Sequence, residues 1–171
     1  IREALHRLSA EGLVVYQTNR GMFVSNVDLE NARHIYEFRA LIDGYVARLA
    51  ALRASAEDIN ALLMLQKQLS ESIDSNDIDR FVDCDREFYL VLARAAQNIY
   101  LSEVIPRIFN LHLRLWFLIS ERLGEWNAIA RAHAEMAAGI VSAIDRKDPD
   151  EAELAVKFYI FGRHKEIRLL L

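Results

Sequence analysis

The chain has 171 residues, of which 53% are apolar, and its 21 Lys and Arg against 25 Asp and Glu give a net charge of −4. The high apolar content excludes a disordered chain, and the single cysteine, Cys84, excludes a disulfide scaffold. The mildly acidic balance argues against a protein that coats nucleic acid over its whole surface. Because no apolar run is long enough for a membrane span and no signal peptide is present, we expect a cytoplasmic protein without a membrane partner.

The first residues of the chain predict a helix followed by a β-hairpin. Residues 1–11 place apolar side chains on one helical face, and Gly12 is a suitable left-handed C-cap. Two short β-prone runs, 13–17 and 22–24, flank a polar turn and predict the hairpin. The chain begins without Met inside the helical pattern, which is typical of a fragment.

From Asp28 onward the sequence predicts only helices, joined by short links. Asp28 is a suitable N-cap for the first of them, and Ser55 with Asp58 forms a capping-box pattern at the start of the second. Pro106 should kink the fourth helix or restrict where it begins, and Pro149 suits the first position of the last. Five of the six predicted helices cover 29–54, 77–96, 99–123, 126–147 and 149–168. The other one, second in chain order, begins at residue 55 and ends within the polar stretch 70–77.

These patterns predict a mainly α protein with two modules. Residues 1–26 form a small module that ends in the hairpin. Residues 28–171 form an antiparallel bundle of about six helices, because long helices joined by short links pack against their neighbours in this way.

Three motifs occur in order along the chain. The run REALHRLSAEGLV leads from the first helix into the hairpin, which has NRG at its tip. Phe38–Asp43 precedes Ala47–Ala51, and later Asp85–Tyr89 precedes Ala95–Asn98. In this order the motifs resemble those of the GntR family of bacterial transcription regulators, whose FadR-type branch joins a winged helix-turn-helix to a helical FCD ligand-binding domain. The resemblance spans essentially the whole chain.

The resemblance implies that residues 1–26 are the C-terminal part of the DNA-binding domain, with Arg2, Arg7, Arg20 and Gly21 contacting operator DNA. An α-helix fits the major groove, a cation at the wing tip meets a phosphate, and glycine permits close backbone approach. This module carries three Arg and two Glu, a net +1, which leaves −5 for the bundle. A helix with several arginines is also typical of an ordinary solvated surface. We expect the 171-residue chain alone not to bind DNA measurably.

The resemblance also raises the question of a metal, because many FCD domains hold a divalent ion between one Asp and three His. Asp85 matches the aspartate, but Tyr89, Ala137 and Tyr159 stand where the family has His. His133 lies one helical turn before Ala137 and is the remaining candidate beside Asp85. We therefore expect no metal cofactor, with Asp85 and His133 as ligands if a divalent metal is bound.

In place of a metal, the sequence predicts a pocket with an aromatic wall and one or two arginines that binds a small organic acid, a carboxylate. The predicted effector-binding residues, all on helices expected to face the bundle interior, are Arg39, Asp85, Tyr89, His112, Arg114, Trp116 and Tyr159. The alternative is that the aromatic residues are ordinary core and that Arg39 pairs with Asp43 or Asp85 for structural reasons, since a buried guanidinium is costly unless paired.

The family resemblance further implies a homodimer that places two winged helices on a pseudo-palindromic operator. Two other classes of function are alternatives. A helical bundle for protein interaction or small-molecule binding would have no DNA role and no need of a wing. An enzyme would need an acid–base pair, for which Asp85 with Glu87 or His133 with Glu135 could serve, but no nucleophile or phosphate-binding loop supports it. We predict a regulator and not an enzyme.

Overall fold

A computed structural model describes residues 1–26, 29–123 and 126–170, with side chains described at 1–26, 31–117 and 126–162. Within these ranges the chain forms seven helices and one two-stranded antiparallel sheet. The elements in chain order are α1 (Arg2–Ala10), β1 (Val14–Gln17), β2 (Gly21–Val24), α2 (Leu29–Arg53), α3 (Ala56–Asp74), α4 (Ile78–Ala95), α5 (Ile99–Leu123), α6 (Trp126–Asp145) and α7 (Pro149–Leu170).

The N-terminal helix and hairpin form as the sequence predicts. Gly12 has a φ of 78°, which ends α1 in the left-handed conformation that glycine adopts without strain. In the hairpin Gln17 pairs with Gly21, so the loop has three residues. Asn19 and Gly21 have φ values of 62° and 93°, a region that these two residue types tolerate best.

Side-chain caps explain where the bundle helices begin. Ser55 Oγ accepts a hydrogen bond from the backbone N–H of Asp58, and the Asp58 carboxylate accepts one from the backbone N–H of Ser55, which confirms the predicted capping box. Asn98 Oδ1 accepts hydrogen bonds from two backbone N–H groups in the first turn of α5. Asp148 Oδ1 accepts one hydrogen bond, from the backbone N–H of Glu151 in the first turn of α7. Pro149 is the first residue of α7, where its missing N–H has no cost.

The observed helices differ from the sequence prediction in small ways. The second bundle helix ends at Asp74, within the polar stretch where the sequence predicts its end, whereas the fifth ends at Asp145 and not at residue 147. Pro106 lies inside α5 and does not set where that helix begins. The predicted N-cap Asp28 lies outside the described residues.

Helix α2 lies at the centre of the bundle. It packs most extensively against α7 and also contacts α4, α5 and α6, while α3 packs on α4 and α6. Large apolar side chains from several helices fill the space between them, including the fully buried Leu62, Phe88 and Ile140. Because neighbours cover α2 on several sides, polar groups on its inner face are withdrawn from water.

In the part of the chain that the structure describes, no helix is both long enough and apolar enough to cross a membrane.

Candidate functional site

A group of polar side chains lies buried where five helices of the bundle meet, and we call it the buried polar cluster. Its members are Arg39 and Asp43 of α2, Asp85 and Tyr89 of α4, His112 of α5, His133 of α6 and Tyr159 of α7. All are buried, from 1% exposure for Arg39 to 8% for Tyr159. Polar groups at this depth are stable only when hydrogen bonds or charge pairs satisfy them.

Arg39 connects α2 to α4. Its Nε donates to Asp43 Oδ2 at 2.6 Å, and its Nη2 donates to the Tyr89 hydroxyl at 2.6 Å. Asp43 lies four residues after Arg39 on the same helix, so this buried ion pair is local in sequence. The remaining nitrogen, Nη1, is buried and has no hydrogen-bond partner among the described residues. The guanidinium therefore has one donor group left to bind something else.

His133 connects α4, α6 and α7. Its Nε2 lies 2.7 Å from Asp85 Oδ1, and its Nδ1 lies 3.2 Å from the Tyr159 hydroxyl. An ionised carboxylate only accepts hydrogen bonds, so in a bond to such a group Nε2 is the donor. The His112 ring stacks beside His133 with 6.5 Å between ring centroids and meets the Tyr36 ring edge-on at 5.8 Å. The His112 imidazole thus lies between His133 of the buried polar cluster and the aromatic ring of Tyr36.

Burial and neighbouring charges set the protonation of the cluster. Burial raises the pKa of Tyr89 well above its usual value, so the phenol keeps its proton. Burial, aided by Arg39 and His133, lowers the pKa of His112 well below 6.5, which leaves this imidazole neutral. Burial also raises the pKa of Asp43, with Arg39 acting against that rise. Burial lowers the pKa of Arg39, but Asp43 and Tyr89 outweigh it, so the guanidinium stays charged.

The structure brings most of the predicted effector-binding residues together. Five of the seven lie in the buried polar cluster: Arg39, Asp85, Tyr89, His112 and Tyr159. Trp116 lies in the neighbouring apolar core, stacked on Phe81 with 5.7 Å between ring centroids and edge-on to Trp126 at 5.5 Å. The ion pair of Arg39 with Asp43 is the structural pairing that the sequence offered as an alternative.

The structure corrects the predicted position of Arg114. Its Nη1 donates to Ser25 Oγ at 2.6 Å and its Nη2 donates to the Ser25 backbone carbonyl, so the side chain points to the hairpin and not into the cluster. The reason is helical geometry, because residue 114 lies about 200° around the helix axis from His112. Arg114 therefore links α5 to the chain that follows β2.

Two members of the cluster, Asp43 and His133, are not among the predicted effector-binding residues. Asp43 entered only as a structural partner of Arg39, and His133 only as a metal ligand. Their spacing contained a signal in each case. Asp43 is one turn after Arg39, and His133 is one turn before Ala137, so each shares a helix face with a position already predicted to point inward.

The buried polar cluster does not fit the metal site that the family resemblance implies. Among the described side chains, no three His, Cys, Asp or Glu residues are arranged to hold a metal ion. Asp85 and His133 bind each other, and the charged guanidinium of Arg39 in the same cluster opposes a divalent cation. Tyr89 and Tyr159 occupy positions where imidazole ligands are expected, and both bind other members of the cluster.

The predicted DNA-contacting residues lie on the surface of the N-terminal module. Arg2 and Arg7 are exposed on α1, and Arg20 is exposed in the hairpin loop next to Gly21. Gly21 is half-buried at the start of β2. The three cations are therefore accessible to a large polyanion.

Comparison with known proteins gives matches over most of the chain. The model of the FCD domain family matches residues 34–160. The Nta operon transcriptional regulator of Aminobacter aminovorans is 27% identical over 162 residues, which cover 94% of this chain and 72% of that protein. E. coli McbR/YncC has a TM-score of 0.83 at 17% identity, covering 100% of this chain and 84% of that one. Streptococcus agalactiae GntR has a TM-score of 0.66 at 20% identity, covering 96% and 80%. These two structures confirm the predicted fold class.

Removing the guanidinium of Arg39 should show how far the stability of the fold depends on the buried ion pair with Asp43. We expect Arg39→Met to lower the free energy of unfolding by about 3–5 kcal/mol, because it leaves the Asp43 carboxylate buried without a cation. The double variant with Asp43→Leu should recover most of that loss. Urea unfolding followed by circular dichroism measures both values.

The matched control is the exposed pair of Arg33 and Glu37, which has the same spacing on the same helix. Arg33→Met should cost less than about 1 kcal/mol, since solvent screens an exposed pair. Equal losses for the two arginine variants would contradict the importance of the buried pair.

Replacing His112 should change how stability depends on pH. A histidine whose pKa is lower in the folded state contributes full stability above pH 6.5, and this contribution is lost as the pH falls. We expect His112→Gln to flatten the decline below pH 6.5 by up to about 1.4 kcal/mol per pH unit. Urea midpoints at a series of pH values give the slope, and His6→Gln at an exposed position is the control. Parallel curves for wild type and His112→Gln would rule this effect out.

Proposed function

Because the chain belongs to the FCD domain family and its relatives are GntR-type transcriptional regulators, we propose that the buried polar cluster binds a small organic acid and alters operator binding. The relatives are regulators and not enzymes. A metal-free site of this kind needs a cation and hydrogen-bond donors of its own to recognise a carboxylate. The described residues of the cluster supply these.

The unpaired Nη1 of Arg39 is the observation that carries this proposal. Asp43 takes the hydrogen bond from Nε and Tyr89 takes one from Nη2, which leaves Nη1 as a charged donor without a partner among the described residues. Tyr89 accepts from Arg39 and so still has its own O–H proton to donate. A carboxylate provides two acceptor oxygens for two such donors, and the planar guanidinium suits this geometry better than an ammonium group.

We assign the DNA contacts to the N-terminal module. In this proposal residues 1–26 are the C-terminal part of a winged helix-turn-helix, and residues 28–171 form the effector-binding and dimerisation domain. The exposed Arg2, Arg7 and Arg20 meet phosphates or base edges of operator DNA, and Gly21 allows the wing backbone to approach closely. A regulator that acts on bacterial DNA works in the cytoplasm.

An exposed apolar stripe supports the proposed homodimer. Phe38, Leu41 and Tyr45 lie three and four residues apart on α2, and all three are exposed. Water-exposed apolar side chains in a continuous stripe are typical of a contact with another protein. In a two-fold dimer the same stripe of both copies would meet, because each copy presents the same surface to the other.

Helix α5 is the proposed route from the effector to the DNA-binding module. His112 places one face of α5 in the buried polar cluster, while Arg114 binds Ser25. Asn110 Nδ2 donates to Glu11 Oε2 at 3.2 Å, a second contact between α5 and the N-terminal module. An effector that binds one position of α5 better than another would shift the arrangement of this module.

Small carboxylates test the proposed ligand class. We expect at least one of lactate, succinate, benzoate and citrate to raise the thermal midpoint relative to chloride at equal ionic strength. A ligand at 100 times its Kd stabilises the folded state by about 2.7 kcal/mol. Differential scanning fluorimetry identifies the acid, and isothermal titration calorimetry gives its Kd.

Arg39→Lys then tests the site itself. This variant keeps the charge but loses the planar pair of donors, so we expect the Kd of the acid to rise at least about tenfold. Arg33→Lys on the exposed face of α2 should leave the Kd unchanged. The proposal fails if no acid stabilises the protein beyond chloride, or if Arg39→Lys binds the acid as tightly as wild type.

Arg114→Gln should uncouple the effector from DNA. We expect the variant to keep the wild-type Kd for the acid but to lose most of the change in DNA affinity that the acid causes, because the contact with Ser25 is removed. Fluorescence anisotropy of the full-length protein on a duplex selected from a random pool, with and without acid, measures this ratio. Arg107→Gln, at an exposed position on the same helix, is the control. An unchanged ratio in Arg114→Gln would exclude this route.

A further inference from the structure

A cavity lies on the surface of the bundle, between α6 and α7. It has a volume of about 510 Å³, within the range of roughly 300–1,000 Å³ that is usual for small-molecule sites. Its base is formed by Ala132, Met136, Ala155 and Tyr159. We call it the α6–α7 groove, and of its described lining residues only Tyr159 also belongs to the buried polar cluster.

Small side chains create the space in this groove. Gly139 and Ala155 hold the two helices close together, since a Cβ added at Gly139 would lie 3.4 Å from the Ala155 Cβ. Along the groove, Ala132 of α6 and Gly162 of α7 have no side chains long enough to fill it. The groove is therefore a consequence of the packing of the two helices.

The wall of the groove is apolar and exposed to water. Leu154 is 57% exposed and Phe158 is 81% exposed, although both are large apolar side chains. They lie four residues apart on α7, so they form one continuous edge of the groove. Covering an exposed leucine and phenylalanine with an apolar group is favourable.

The charges around the groove are negative. Glu135 of α6 and Glu151 in the first turn of α7 both line it, and no Lys or Arg is among its described lining residues. Neither carboxylate forms an ion pair with a side chain that the structure describes. The positive end of the helix dipole explains a glutamate at position 151 in the first turn of α7. Glu135 is the tenth of the 20 residues of α6, too far from the N-terminus of that helix for the same explanation.

We propose that the α6–α7 groove is a second ligand site that binds an amphipathic organic cation, an ammonium or phosphonium group on an apolar body. The apolar body covers Leu154 and Phe158, and the charge lies between Glu135 and Glu151. The aromatic rings of Phe158 and Tyr159 add an attraction that an anion of the same shape does not share. This ligand has the opposite charge to the acid proposed for the buried polar cluster.

Tyr159 connects the two sites. Tyr159 lines the groove, and its hydroxyl lies 3.2 Å from Nδ1 of His133. A cation in the groove should therefore change the environment of the His133 imidazole without entering the buried polar cluster. This gives the groove a spectroscopic signature that binding elsewhere on the surface lacks.

A pair of ions with the same shape and opposite charge tests the proposal. Tetraphenylphosphonium and tetraphenylborate each carry four phenyl rings around a central atom, and both should be titrated into the folded chain by calorimetry at fixed ionic strength. We expect the phosphonium ion to bind at least tenfold more tightly than the borate ion. It should also shift the imidazole NMR signals of His133.

Variants of the glutamates distinguish charge-dependent binding from nonspecific apolar binding. Glu135→Gln with Glu151→Gln should weaken phosphonium binding about five- to tenfold, because each exposed ion pair accounts for a factor of about two to five. The matched control, Glu87→Gln with Glu103→Gln at exposed positions on α4 and α5, should leave it unchanged. Phe158→Ala should weaken both probes.

Three outcomes would overturn the proposal. Equal or tighter binding of the borate ion would make the groove a general apolar patch. Phosphonium binding that is the same in the glutamate variants and the controls would place the cation elsewhere. Sedimentation that shows a dimer in wild type and a monomer in Leu154→Glu would mean that a second copy of the chain covers the groove. Because neither probe is a carboxylate, failure here leaves the acid-binding proposal standing.

Discussion

The bundle depends on a permanent positive charge that is held away from water at its centre. The guanidinium of Arg39 cannot lose its proton, so its surroundings must supply compensation. Asp43 does this from the same helix, and Tyr89 does it from α4. An ion pair between neighbours on one helix is weak in water, but it becomes indispensable once the other helices close over it. The packing of other helices around α2 therefore both buries Arg39 and makes its pairing with Asp43 and Tyr89 necessary.

The same centre shows how polar side chains from several helices satisfy one another inside a bundle. In the FCD pattern that this sequence resembles, a divalent ion gathers one carboxylate and several imidazoles from different helices. Here tyrosines stand at two of those imidazole positions, and Asp85 is bound to His133. Hydrogen bonds join these side chains to one another, and Arg39 supplies a positive charge. The described residues form two hydrogen-bonded groups, Arg39 with Asp43 and Tyr89, and His133 with Asp85 and Tyr159, and α4 contributes a residue to each.

The helices were predictable because their ends depend on local chemistry. Ser55, Asn98 and Pro149 mark helix starts through hydrogen bonds and backbone geometry that involve only the next few residues. The site was predictable only in part, because it depends on which face of each helix points inward. Arg114 shows the difficulty: α5 contacts the bundle on one side and the N-terminal module on another, so hydrophobic periodicity does not decide between them. His133 could be found only by extending an expected ligand position by one turn.

The positions of His112 and Arg114 on α5 have a mechanical consequence. The two side chains leave the helix about 200° apart, so a small rotation of α5 about its own axis displaces both at once. A rotation of about 10° moves atoms roughly 6 Å from the axis by about 1 Å. That distance is enough to break the hydrogen bond between Arg114 and Ser25, since such bonds weaken steeply beyond their normal length. Torsion of one helix could therefore carry a signal between the two modules without any change in how the other helices pack.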